Sequence, residues 1–236
     1  MKLLRLSIIL LLISFVAGCA TFKPNFAVKE RFWENKKQTI GIAVAKIPQP
    51  EAHKTGGQGL LDIAINNANA SELGEHLAKQ DVQQINKTTD KMFSYLRGKG
   101  FNVVKIEDQI DAESLKEVSL SDDESKKIYY TNRDFTPLKT KYNIDKIVLV
   151  TLDKVGTIRN YYGFVPLGAP SGYSKAVGQI INLENNQLEW NYVIDQQIPT
   201  SESEWDVPPS FPGLTKAMYT AFNQTQELLF NEFTKN

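Results

Sequence analysis

Few side chains in this sequence have the type and spacing to do chemistry. There is one cysteine, Cys19, and there are two histidines, His53 and His76. A lone cysteine excludes an intrachain disulfide and every multi-cysteine zinc site. The histidines stand 23 residues apart in one irregular stretch. They form no helical pair, and a metal ion needs about three or four protein ligands, so the expectation is no metal site. Ser171 lies among Gly168, Ala169, Pro170 and Gly172. It lacks the spacing of a nucleophile elbow, and a strand pattern rather than a helix follows it. Glu202, Glu204 and Asp206 surround Trp205, short of the roughly six to eight oxygen ligands that calcium takes. Asp122-Asp123-Glu124 reads as first-turn charge stabilising a helix dipole. No glycine-rich phosphate loop opens a helix. The chain is expected to be non-catalytic and to carry no cofactor.

Cys19 itself stands where a modification would use it. Lys2 and Arg5 form a positive head, and Leu6 to Ala17 is apolar apart from Ser7 and Ser14. That run is shorter than the roughly 20 residues a membrane-spanning helix needs, and it fits a signal-peptide core. It ends in Val16-Ala17-Gly18-Cys19, which resembles a bacterial lipobox, the site of diacylglycerol transfer to the cysteine sulfur and of cleavage before it. The alternative is an ordinary secretory signal with a cysteine nearby. On the lipobox reading, residues 1–18 are a lipoprotein signal peptide, and the thiol is consumed as a thioether. Each buried acyl methylene, palmitate included, then adds about 0.8 kcal/mol of membrane affinity. The resemblance to Gram-negative lipoproteins also implies an address. Ala20 rather than Asp follows the cysteine, which in that group goes with the outer membrane, periplasmic face.

The chain has 236 residues, with 27 basic and 27 acidic side chains, and is 42% hydrophobic and 23% charged. That balance is a globular one. Zero formal net charge with no basic block argues against electrostatic nucleic-acid binding.

Residues 19–37 read as the lipidated N-terminus and a tether, though Phe22, Phe26, Phe32 and Trp33 make it aromatic enough to pack on the domain. The globular part is expected over 38–236. Ile40, Ile42 and Val44 alternate with Gly41, Ala43 and Ala45, a strand with one large and one small face. A helix capped by Asp81 carries Val82, Ile85, Met92, Phe93 and Leu96 on one stripe. Phe101–Ile106 is a second strand. Ser121 with Glu124 predicts a capping box and a helix to about Arg133. Thr136-Pro137 starts a short helix ending near Asn143. Residues 147–152 are apolar on both faces, as a covered central strand requires. A hairpin runs from Val177 through Asn185-Asn186 to Ile194, and a last helix spans Leu214–Phe233. The fold class expected is α/β (α+β): a single domain with a mixed sheet of about five strands, three with crossover helices and then an antiparallel hairpin, packed by helices.

That order, with Tyr142-Asn143-Ile144-Asp145-Lys146-Ile147-Val148, the Ile180–Trp190 hairpin and the C-terminal helix, resembles periplasmic lipoproteins with a TolB-N-terminal-like domain, of the curli-secretion-channel and penicillin-binding-protein-activator type. The resemblance implies action by binding envelope partners, without a catalytic site. The sequence shows no long dyad-alternating segments of membrane-spanning hairpins, which argues against a pore.

Two stretches are candidates for contact. Leu60, Leu61 and Ile65 would share an apolar helix face, either a docking surface or a short core helix. Tyr161, Tyr162 and Phe164 fall in a Gly-, Pro- and Tyr-rich stretch to Tyr173, read as a loop that either recognises a partner or covers a sheet edge. The function expected is a lipid-anchored accessory of the envelope, bound to the membrane through acyl chains on Cys19 and to an envelope protein or a second copy of itself. The alternative is a lipoprotein that binds a small molecule, lipid or glycan with the tyrosine stretch as a pocket wall.

Overall fold

The computed structural model describes residues 23–57, 59, 71–200 and 207–235. In chain order the elements are α1 (Glu30–Glu34), β1 (Thr39–Val44), β2 (Glu51–Gly57), α2 (Ser71–Leu77), α3 (Asn86–Gly98) and β3 (Asn102–Lys105). Then follow α4 (Pro137–Tyr142), β4 (Lys146–Tyr162), β5 (Val165–Asn182), β6 (Gln187–Pro199) and α5 (Pro212–Thr234). They form one mixed α/β domain around a six-stranded sheet in the order β3-β1-β4-β5-β6, with β2 added beside β4. β1 is parallel to β3 and β4, β2 is parallel to β4, and β4-β5-β6 are antiparallel.

The alternation in β1 sets the layers. Its large face, Ile40, Ile42 and Val44, joins Val148, Val150 and Leu152 of β4 beneath α3 and α5. Met92 and Leu96 of α3, and Phe222, Leu229 and Phe233 of α5, complete that core. Its small face, Ala43 and Ala45, joins Ile147, Leu149 and Leu188 beneath α4 and the irregular segment before it. α5 seats on β5 through absent side chains. A Cβ at Gly172 would overlap the Ala217 backbone.

The mixed sheet of about five strands is as expected, with Glu51–Gly57 as a sixth strand beside β4. Two expectations change. The stretch to Tyr173 is not a loop: β4 and β5 are 17 and 18 residues long and pair until Tyr162 faces Val165. The helix expected from Ser121 does not form. Asp123 instead caps a single 3-10 turn, Glu124–Lys126, and bridges Ile128. Ile128, Tyr129 and Tyr130 are consecutive, which gives a helix no apolar stripe to bury.

Residues 23–37 pack as a strap along β6. Phe26 bridges Asn191, the Lys29 amide donates to the Glu189 carbonyl, and Arg31 donates to Gln187. Phe32 is buried, stacked on Phe101 at 5.3 Å, and Trp33 meets Phe233 at 6.2 Å. Beneath the strap, a bulge inserts Glu189 between the pairs Ile180–Trp190 and Ile181–Leu188. The bulge turns Glu189 onto Lys146 in a buried ion pair, with Arg31 3.4 Å from the same carboxylate. The Lys146 ammonium also lies 5.4 Å over the Phe32 ring.

Removing one partner of a buried pair strands the other charge. Glu189→Gln should therefore lower unfolding free energy by about 3 kcal/mol, read by urea denaturation. Asp153→Asn, which breaks the partly exposed Lys175–Asp153 pair at 2.9 Å, should cost under about 1 kcal/mol by the same measurement.

Candidate functional site: the β-finger

Thr157 is the last buried residue on β4. Beyond it the β4–β5 hairpin leaves the core as a finger with β2 along one side, held from Glu51–Gly156 to Gly57–Tyr162. Gly156, at φ +132°, admits the Glu51 backbone where a Cβ would overlap it, so the third strand can start there. The turn at Gly163, φ +58°, closes the hairpin, and its amide donates to the Gly57 carbonyl at 2.8 Å.

The end of the finger is apolar and in water. Tyr162 is 77% exposed, Phe164 62%, Leu167 56% and Val165 48%. Tyr161 is half-buried. Tyr161, Tyr162 and Phe164, singled out in the sequence, are thus brought together. Val165 and Leu167 were missed because the stretch read as a loop; the Val165-Pro166-Leu167 run beside Gly163 is the signal that would have added them. Cys19, Leu60, Leu61 and Ile65, and the acidic residues around Trp205, lie outside the described residues. β2 ends at Gly57, level with Tyr162.

Polar side chains lock the root of the finger. Tyr173 is buried, and its hydroxyl donates to Asp195 Oδ2 at 3.2 Å. Burial, then the Asp195 charge, pushes its phenol up to about 12. His53 of β2 packs edge-on to Tyr173 at 5.4 Å, and its Nε2–H donates to the Val155 carbonyl at 3.2 Å. Its Nδ1 lies 3.3 Å from Glu51 Oε1. Burial holds the imidazole below its ordinary range despite Glu51 and Asp153, with Lys154 opposing protonation too. His76 is on α2, 2.7 Å from the Thr215 hydroxyl, so the two histidines serve different elements. Among the described residues no three His, Cys, Asp or Glu side chains are grouped to hold a metal ion. Ser171 and Gly172 lie within β5, paired to β4 and β6.

A cleft of about 330 Å³ opens on the other face of the sheet, walled by Lys23, Tyr130, Arg133, Phe135, Leu149 and Gln179 among others. None of the finger-tip residues lines it.

No family model and no curated protein sequence matches this chain. Among solved structures it is similar to a neuraminyllactose-binding hemagglutinin homologue from Helicobacter pylori, at 10% identity and TM-score 0.38 over 91% of this chain and 92% of that one. It is also similar to lipoprotein GNA1162 from Neisseria meningitidis, at 10% identity and TM-score 0.28 over 79% and 99%. A Xanthomonas campestris protein of family model DUF330 aligns at 9% identity and TM-score 0.36 over 89% of each chain. With scores this low, none of the three assigns a function to this chain.

Because the folded His53 titrates below its unfolded range near 6.5, the unfolded state binds the extra proton as pH falls. The stability this residue contributes is complete above about pH 6.5 and is lost as pH drops toward its depressed value. The thermal midpoint should therefore fall more between pH 7 and 5 in the native chain than in His53→Gln, read by circular dichroism.

Proposed function

We propose that the protein is a lipid-anchored, non-catalytic accessory of the bacterial envelope that works by contact, with the finger as its contact element. Lipidation at Cys19 confines the domain to a thin shell at the membrane and raises its effective concentration toward other envelope components. In a Gram-negative host, Ala20 supports placement at the outer membrane, facing the periplasm. Among the described residues no helix is long and apolar enough to cross a membrane, so Cys19 supplies the attachment in this reading.

The observation that carries the proposal is the shape of the tyrosine stretch. It is a projection with apolar side chains in water, and none of them lines the cleft on the sheet face. A projection of aromatic and aliphatic side chains gains by being covered, whereas a small-molecule site is concave and encloses its ligand. The polar side chains near the finger are used in holding its strands together, which supports a binding role over a reaction.

Two variants test this reading. Cys19→Ala should move the protein from the membrane to the soluble fraction on cell fractionation; continued full membrane association would contradict the lipid anchor. The double change Tyr162→Ser with Phe164→Ser should leave the thermal midpoint within about 2 °C of the native chain, because exposed residues contribute little to folding. A large fall would make the tip structural rather than a contact surface.

A further inference from the structure

We infer that the finger tip seats in the interfacial layer of the same bilayer that holds Cys19, so that the domain is attached at two points. This inference rests on the lipid-anchor reading above and names what covers the tip.

The length of chain outside the described residues supports a bilayer as the occupant. The strap runs antiparallel to β6, from Arg31 at Gln187 to Asn25 at Val193, and Asn191 donates to the Lys23 and Pro24 carbonyls. Three residues lie between Cys19 and Lys23, so four Cα steps hold the lipidated residue within about 14 Å of the domain's flank. The domain cannot stand far from the membrane. Asn191 pairs with Gln179, which pairs with Leu149, and Tyr162 is 13 residues further along β4. At about 3.3 Å per residue the tip is roughly 40 Å from the strap's end. A short leash at the flank and an apolar tip at that distance let the hairpin lie along the bilayer, with both points at its surface.

The chemistry of the finger fits the headgroup boundary. Tyrosine and phenylalanine at the tip suit the zone where one end of a side chain is apolar and the other wet. Lys54 and Arg159 stand on the finger, the Arg159 guanidinium donating to the Gly168 carbonyl at 2.8 Å. Between 51–57 and 156–171 the only carboxylate is Glu51. Two cationic side chains behind an apolar tip match an anionic phospholipid surface. The finger does not cross the membrane. Five residues of β4 follow Thr157, about 17 Å of strand, whereas a spanning strand needs about 9–11 residues.

Lipidation consumes the only native thiol, so a second cysteine can be labelled alone. The full-length chain carrying Leu167→Cys, purified lipidated and reconstituted into phosphatidylethanolamine–phosphatidylglycerol vesicles, would be labelled with a nitrobenzoxadiazole dye. Val104→Cys, at a residue 37% exposed on β3, the sheet edge opposite β6 and the strap, is the control. The result expected is blue-shifted emission at position 167 and about twofold quenching by lipids spin-labelled near the headgroup, with little quenching at 104. Water-like emission at 167, in protein that remains vesicle-bound, would overturn the membrane seat while leaving the lipid anchor intact. Failure of the protein to associate with vesicles at all would instead remove the anchor on which the inference rests.

Discussion

The continuous β4–β5 ladder is the constraint on which the rest of this structure depends. One register runs from Lys146–Asn182 in the core to Tyr162–Val165 at the tip, shifted only at Leu152/Lys154 and Ile158/Asn160. The same two strands carry both hydrophobic cores at one end and the exposed aromatics at the other. Side chains alternate at period two along a strand, so slipping the pair by one residue would turn Val148 and Val150 out of the core. The tip is therefore placed by the core. Its position does not depend on contacts of its own, which is why apolar residues can stay in water there without disordering the hairpin.

A second constraint ties the other end of the chain to this frame. Glu189 and Lys146 pair under the strap, and Arg31, Phe32 and Trp33 close over them. A charge pair without water is costly to break from one side, so the strap is held against β6 close to where the chain leads back to Cys19. The strap and the finger are thus tied to one rigid sheet. On the proposed reading, that rigidity converts lipidation into orientation as well as proximity: the acyl chains fix one point, and the finger has limited freedom about it.

Much of this was legible in the sequence where packing follows a period. The large and small faces of β1, the stripe Val82, Ile85, Met92 and Leu96 and the C-terminal helix were all visible as alternation or three-four spacing. The finger was not. Gly156, Gly163, Gly168, Pro166 and Pro170 are turn formers in isolation, yet the turn is at Gly163, while Gly156 is paired to both β2 and β5 and Pro166 to β4. β2 was hidden for the same reason, since Glu51–Gly57 has no apolar alternation and is held by β4. The capping signal at Ser121 misled because a cap stabilises a helix only when an apolar stripe follows. The candidate contact residues Tyr161, Tyr162 and Phe164 were readable by type, but their exposure depended on a strand length that composition concealed.

The most direct test of the two-point attachment is site-specific photo-crosslinking in living cells from position 162, in the full-length lipidated chain, followed by mass spectrometry of the trapped species. The account predicts a phospholipid adduct at 162 and none from a probe at position 104, on the opposite edge of the sheet from the strap. A discrete protein adduct at 162 without lipid would contradict it and identify the finger as a protein-docking element instead.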